Sequence, residues 1–149
     1  MIFAHSIVGI IAGNYFGYFW YWFLGSIIPD IDHLWMLYKH RIFSVSKIID
    51  SMRFEEKYEL NYKTKYIHSI FGAIVLSAPV FLISTTEGFY FFTAYLGHLL
   101  LDLPDKDIKY YLYPLKIKFS GFLPIWSYPE RIFTIFLLIL IVLIARKFF

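Results

Sequence analysis

A chain of 149 residues that is 59% hydrophobic and 23% aromatic, with mean hydropathy +0.60, has the composition of a membrane protein rather than a soluble domain. The absence of cysteine excludes disulfides, thiolate zinc sites and cysteine nucleophiles. Any metal must therefore be held by His, Asp or Glu, donors that suit zinc, manganese or iron better than soft copper. The net charge of +3 is unevenly spread: no Lys or Arg falls in 1–38 or 66–105, seven lie between Lys39 and Lys65, and four between Lys106 and Lys118. Basic loops between apolar runs face the cytoplasm. Because Asp50, Glu55, Glu56 and Glu59 are interspersed with the first of them, a nucleic-acid footprint is not expected.

Residues 2–28 are apolar, broken by Gly13-Asn14 and Gly17. They form either one long helix or a hairpin of two short ones, about 3–13 and 17–28. A straight helix rising about 1.5 Å per residue would hold His5 and Asp30 roughly 37 Å apart. The hairpin brings both to one end and is the expected arrangement. With no basic n-region and no small-residue cleavage site, the N-terminus does not read as a signal peptide.

Residues 39–65 are the basic, Tyr-rich segment. Within it Ser44 to Lys57 reads as an amphipathic helix with Ile48, Ile49, Met52 and Tyr58 on one face, suited to a membrane interface. Residues 67–85 are a second apolar run, with Pro79 as a candidate kink point, ending in Ser84-Thr85-Thr86-Glu87-Gly88. Residues 89–102 are a third. The short polar link implies an antiparallel hairpin with its tip on the far side of the membrane, so His68, His98 and Asp102 share the basic side. Residues 103–130 are an irregular loop punctuated by Pro104, Pro114, Gly121, Pro124 and Pro129. The segment 131–149 holds a last apolar helix, short for a full span of about 20 residues unless Arg146 and Lys147 snorkel. Trp and Tyr at 18–22, 35–38, 110–113 and 126–128 read as interfacial anchors. The expected architecture for 1–149 is one all-α, membrane-embedded domain: a polytopic bundle of short helices arranged as hairpins, with an interfacial amphipathic helix.

Against this apolar background the polar phrases stand out. His98 and Asp102 are four apart and share a helix face. They suit a metal clamp, although a plain His–Asp hydrogen bond has the same spacing. Pro29-Asp30-Ile31-Asp32-His33 crowds two carboxylates and an imidazole after a helix stop, and such carboxylates repel unless a cation or hydrogen bonds hold them. The bland reading is an Asp30 cap and a solvated turn. His68-Ser69 and His5-Ser6 begin apolar runs, and each alone reads as an interfacial histidine. His40 reads as surface, and Asp105 and Asp107 as loop-solvating groups. Together His5, Asp30, Asp32, His33, His68, His98 and Asp102 exceed what one four-coordinate ion needs. A two-metal cluster would use them all and would activate a water for phosphoester hydrolysis.

These phrases, in this order, resemble the YdjM-like family: His5-Ser6 with Gly9, then Gly25-x-x-x-Pro29-Asp30-Ile31-Asp32-His33, His68-Ser69, Tyr95-Leu96-Gly97-His98-x-x-x-Asp102 and Tyr113-Pro114-Leu115. The resemblance spans residues 3 to about 115. It implies an integral inner-membrane protein, predicted to be a metal-dependent hydrolase and distantly similar to the all-α zinc phospholipase C and P1-type nuclease group. One departure is visible. Where the family shows His-Arg-Gly-x-Thr, this chain has Lys63-Thr64-Lys65-Tyr66-Ile67, leaving Lys63, Lys65 or Arg41 to supply positive charge.

The expected function is therefore a membrane-bound hydrolase of phosphoesters such as lipid headgroups, acting at the cytoplasmic face. It would use a divalent metal, zinc before manganese or iron, with Asp32 or Asp102 as general base. Its partners would be the bilayer and a phosphoester substrate. The alternative is a non-catalytic membrane protein whose His/Asp cluster is a structural metal site or a polar network. An ion path ranks third, because the far-side tip offers only Glu87.

Overall fold

The computed structural model describes residues 2–58, 60–125 and 127–147. Their regular structure is helical: α1 (Ile2–Phe16), α2 (Phe19–Ile27), a 3-10 turn at Ile28–Asp30, α3 (Ile31–Lys39), α4 (Val45–Arg53), α5 (Glu55–Tyr58), α6 (Ile70–Ile83), α7 (Thr85–Leu101) and α8 (Tyr128–Lys147). Two isolated β-bridges, Asp105 with Leu123 and Lys109 with Phe119, tie the 103–127 segment together.

The first apolar run is a hairpin, not one long helix. Its turn lies at Gly17 and Tyr18, both at positive φ, rather than starting at Gly13. The left-handed region costs glycine nothing, so Gly17 breaks the helix there. Gly13 serves packing instead. A Cβ on it would stand 2.8 Å from Phe19 Cα, so it is the place where the two arms touch. The second hairpin is tighter than its polar link suggested. Ser84 alone separates α6 from α7, and its Oγ accepts a hydrogen bond from the Glu87 amide. At the start of α6, Ser69 Oγ accepts from the Gly72 amide and donates to the Tyr66 carbonyl, so both the cap and the preceding loop are fixed by one buried hydroxyl.

Helix α2 packs between α1 and α7, α7 between α2 and α6, and α8 lies against α1. The central α2–α7 contact depends on Gly25, where a Cβ would meet the Phe91 carbonyl oxygen at 2.5 Å. Ala73, Phe91, Tyr95, Leu99 and Tyr111 form the main apolar core. A smaller cluster joins Met52, Leu60 and Tyr62, with Ile48 and Tyr58 packed on it. The 44–57 helix thus breaks at Phe54 into α4 and α5, and Ile48 and Met52 turn into the protein's own core. Val45, Ile49 and Phe54 remain outward. Tyr111, expected as an anchor, is buried, whereas Trp20, Trp35 and Tyr38 are exposed as anchors should be. Glu59 and the expected anchor Trp126 lie outside the described residues, as do the side chains of Arg146 and Lys147.

Burial in this fold is inverted. The largest fully buried side chains include His5, Asp32, His68, His98, Asp102, Asp105 and Lys109, while Leu82, Ile83, Leu34 and Phe136 are exposed. Soluble domains bury the opposite set. Among the described residues no helix is long and apolar enough to cross a membrane. The 14 residues of α6 and the 17 of α7 would reach only about 21 and 26 Å, against a hydrocarbon core of about 30 Å.

Candidate metal centre

Antiparallel hairpins put the start of α1, the end of α2, the start of α6 and the end of α7 at one end of the helical layer. Those termini carry His5, Asp30, His68, and His98 with Asp102, and the short α3 following the Pro29 turn adds Asp32 and His33. All seven residues singled out by sequence meet there.

Carboxylates and carbonyls can only accept, so the imidazole contacts fix which ring nitrogen carries the proton. His5 Nδ1 donates to Asp30 Oδ2 at 3.2 Å, His68 Nδ1 to Asp32 Oδ2 at 2.8 Å, and His98 Nδ1 to the Ser26 carbonyl at 2.7 Å. In the neutral rings the Nε2 lone pairs of all three are then left pointing inward. His68 Nε2 and His98 Nε2 face each other at 3.3 Å, and each lies 3.4 Å from Asp102 Oδ2. His5 Nε2 stands 3.2 Å from Asp102 Oδ1 without a hydrogen bond between them. Two ring nitrogens and a carboxylate oxygen spaced 3.3–3.4 Å apart match the edges of a tetrahedron with bonds of about 2 Å, the zinc range. The residues present fit a divalent ion. His68, His98 and Asp102 are a buried group that could hold one, and His5, Asp30 and His98, or Asp30, His33 and His68, are overlapping groups that could as well.

Overlap limits how many ions these seven serve at once. His98 has one available nitrogen, because its other is committed to the Ser26 carbonyl. Asp32 is similarly occupied: Oδ2 accepts from His68 and from the Thr64 amide at 2.8 Å, and Oδ1 accepts from His33 Nδ1 at 2.9 Å. It orients two histidines instead of offering a spare oxygen. A carboxylate behind a ligating imidazole is the usual device for fixing tautomer and ring angle.

Burial by itself would raise the Asp30 carboxyl, but the His5 hydrogen bond and the charges of His98, His5 and His33 bring it down to about 2. Asp32 is driven well below the usual carboxylate range against burial by its bonds to His33 and His68. Burial would lower His68, yet the carboxylates of Asp102 and Asp32, 3.4 and 2.8 Å away, raise it to about 9, so a cation entering the site displaces the Nε2 proton. Asp102 is held low, against burial, chiefly by Lys63.

Sequence reasoning missed a neighbouring layer. Asp105 and Asp107, expected to solvate a loop, are buried, as are Lys63 and Lys109. Lys63 Nζ contacts Asp102 Oδ2 at 2.9 Å, Asp105 Oδ2 at 3.2 Å and Asp107 Oδ2 at 3.1 Å. Lys109 pairs with Asp107 at 2.9 Å and donates to the Asp105 carbonyl. A signal existed. Residues 105, 107 and 109 are buried while 106 and 108 are exposed, the alternation of an extended strand, with polar side chains on the inner face. Of the three cations expected to replace the missing arginine, Lys63 enters the site. Lys65 lies over the rings of Tyr66 and Tyr113, and Arg41 is exposed.

Charge balance points to a cation. Asp30, Asp32, Asp102, Asp105 and Asp107 gather beside Lys63, Lys109 and the site's histidines, a concentration of carboxylates that imidazole protons or a metal ion would offset. No curated protein and no solved structure matches the chain. The family model described as YdjM inner membrane protein matches residues 2–148, and the chain belongs to that family.

Proposed function

We propose that this chain is a membrane-embedded, metal-dependent hydrolase of phosphoesters such as lipid headgroups, working at the cytoplasmic face. The observation that carries the reading is the convergence of three histidine Nε2 atoms on Asp102, each ring pinned from behind by an acceptor. Sites that keep polar groups satisfied on the outside and lone pairs aimed at one point are built for a cation.

His68, His98 and Asp102 would hold the ion, with His5 beside them, and zinc suits this donor set best. A divalent ion there would polarise a phosphoryl oxygen and acidify a bound water. Asp32 and Asp30 keep the rings in the ligating tautomer. His33, whose side chain is 11% exposed and whose Nδ1 is tied to Asp32, would be the group to take up a proton released on attack. The exposed apolar surfaces of α6 and α8 face lipid, and the basic loops lie on the same side as the site.

The non-catalytic alternative draws on Lys63, which is locked among carboxylates and does not reach out as a phosphate-gripping arginine would. Elemental analysis of detergent-purified protein, with phosphate release from phospholipid and simple phosphoester probes, separates the readings. Wild type is expected to carry at least one equivalent of zinc, manganese or iron, lost in His98→Ala and Asp102→Ala together with turnover. Metal that tracks stability without turnover on any probe leaves the structural reading. A wild type that takes up no metal even after loading overturns both metal readings.

A further inference from the structure

Asp102 faces two cation positions. Its carboxylate meets the Nε2 atoms of His5, His68 and His98. Its Oδ2, 3.4 Å from the His68 and His98 nitrogens, is also 2.9 Å from Lys63 Nζ. Around that ammonium Asp105 and Asp107 complete a nest of three carboxylate oxygens at 2.9, 3.2 and 3.1 Å. Lys63 is only 3% exposed. The ammonium donates to Asp105 Oδ2 and lies within ion-pair distance of Asp102 and Asp107. Oxygen donors from several carboxylates around a buried point charge are also the surroundings of a hard divalent ion such as manganese or calcium.

We propose that the Lys63 ammonium occupies the place of a second metal ion, bridged by Asp102 to the histidine centre. The chain supplies one cation of the pair covalently and binds the other, so the folded protein holds a single metal. Three observations support this. Lys63 shares Oδ2 of Asp102 with the Nε2 atoms of His68 and His98, so one oxygen bridges the two cation positions. Lys109 and Asp107 form a further pair at 2.9 Å that closes the nest from outside. The nest also borders a cavity of about 480 Å³, which Asp107 lines together with Glu55, Arg53, Asn61 and Lys106. The inference rests on the reading of the His/Asp cluster as a metal centre.

The test is metal stoichiometry of the full-length protein in detergent, by elemental analysis and by calorimetric titration with manganese. Wild type is expected to bind one ion, and Lys63→Ala one manganese equivalent more. The extra equivalent should vanish in the double variant Lys63→Ala/Asp107→Asn. The mild variant Asp107→Asn alone should keep the wild-type count. A Lys63→Ala protein that gains nothing overturns the proposal, as does loss of an ion in Asp107→Asn, which would mean the nest already holds metal. Should Lys63→Ala fail to fold without manganese, recovery on adding it supports the proposal, and the Asp107→Asn count still decides. A wild type without metal would sink the metal-centre reading and this inference with it, whereas a wild type with one ion whose Lys63→Ala variant gains none overturns this inference alone.

Discussion

Replacing Asp32 with asparagine tests whether this carboxylate orients the site or ligates an ion within it. Asp32 receives three hydrogen bonds at 2.8–2.9 Å, from His68, His33 and the Thr64 amide, in a fully buried setting. Asparagine retains one oxygen, which can serve His68 and Thr64 from the Oδ2 position. Its amide nitrogen then confronts His33 Nδ1–H, and the other two bonds fall from charged to neutral. With charged hydrogen bonds worth about 1.5–3 kcal/mol and neutral ones about 1, the loss to folding is roughly 2–4 kcal/mol. Metal is felt through His68, whose tautomer loosens. Loss of such a carboxylate behind a ligating histidine costs about 10–100-fold in affinity, or roughly 1.4–2.7 kcal/mol. Competition with a chromophoric chelator reads this directly. The expected result for Asp32→Asn is weaker binding with unchanged stoichiometry at saturation. Loss of a whole equivalent at saturating metal would make Asp32 a direct ligand, and unchanged affinity would remove its orienting role. Either refutes the reasoning.

Two further outcomes follow from the same structure. Burial, with help from Asp107, raises the Glu55 carboxyl from 4.5 to about 7. The folded state therefore holds that proton more tightly than the unfolded chain. Its stabilising effect is complete below pH 4.5 and is lost as pH rises to about 7, a change of about 3 kcal/mol at most. Glu55→Gln should flatten the urea-midpoint profile across that window, and an unaltered slope would count against the assignment. Gly25→Ala places a Cβ 2.5 Å from the Phe91 carbonyl oxygen, so α2 must back away from α7, costing about 1–3 kcal/mol and drawing the Ser26 carbonyl off His98. Gly97→Ala on α7 meets nothing within 4 Å and should be neutral or stabilising by up to about 1 kcal/mol. Equal effects of the two alanines on stability and metal affinity would show that the helix approach at Gly25 does not position the site.

The seven site residues were legible because each is marked locally. His98 and Asp102 share a face by helical spacing, Pro29 stops a helix where Asp30, Asp32 and His33 follow, and His5 and His68 are polar groups in apolar runs with little else to bind. Their convergence was legible from a glycine break, one short polar link and the placement of Lys and Arg. Less accessible was the division of labour among them. Asp30, Asp32 and Asp102 look alike in sequence, yet Asp32 spends both oxygens on donors from residues up to 36 positions away. Asp102 instead turns its oxygens toward three histidines and a lysine.

Composition and local pattern determined that this chain is helical, that it buries its polar groups at one end, and which residues could bind a cation, since these follow from hydropathy, helix breaks and residue chemistry along a short stretch. The tertiary structure alone decided that Gly13 is a contact and Gly17 the turn, that Asp105, Asp107 and Lys109 face inward, and that Lys63 sits among three carboxylates. The inward-facing Asp105, Asp107, Lys109 and Lys63 depend on neighbours supplied by distant segments. No local rule fixes which side of a strand or loop is inside when the interior is polar and the exterior apolar.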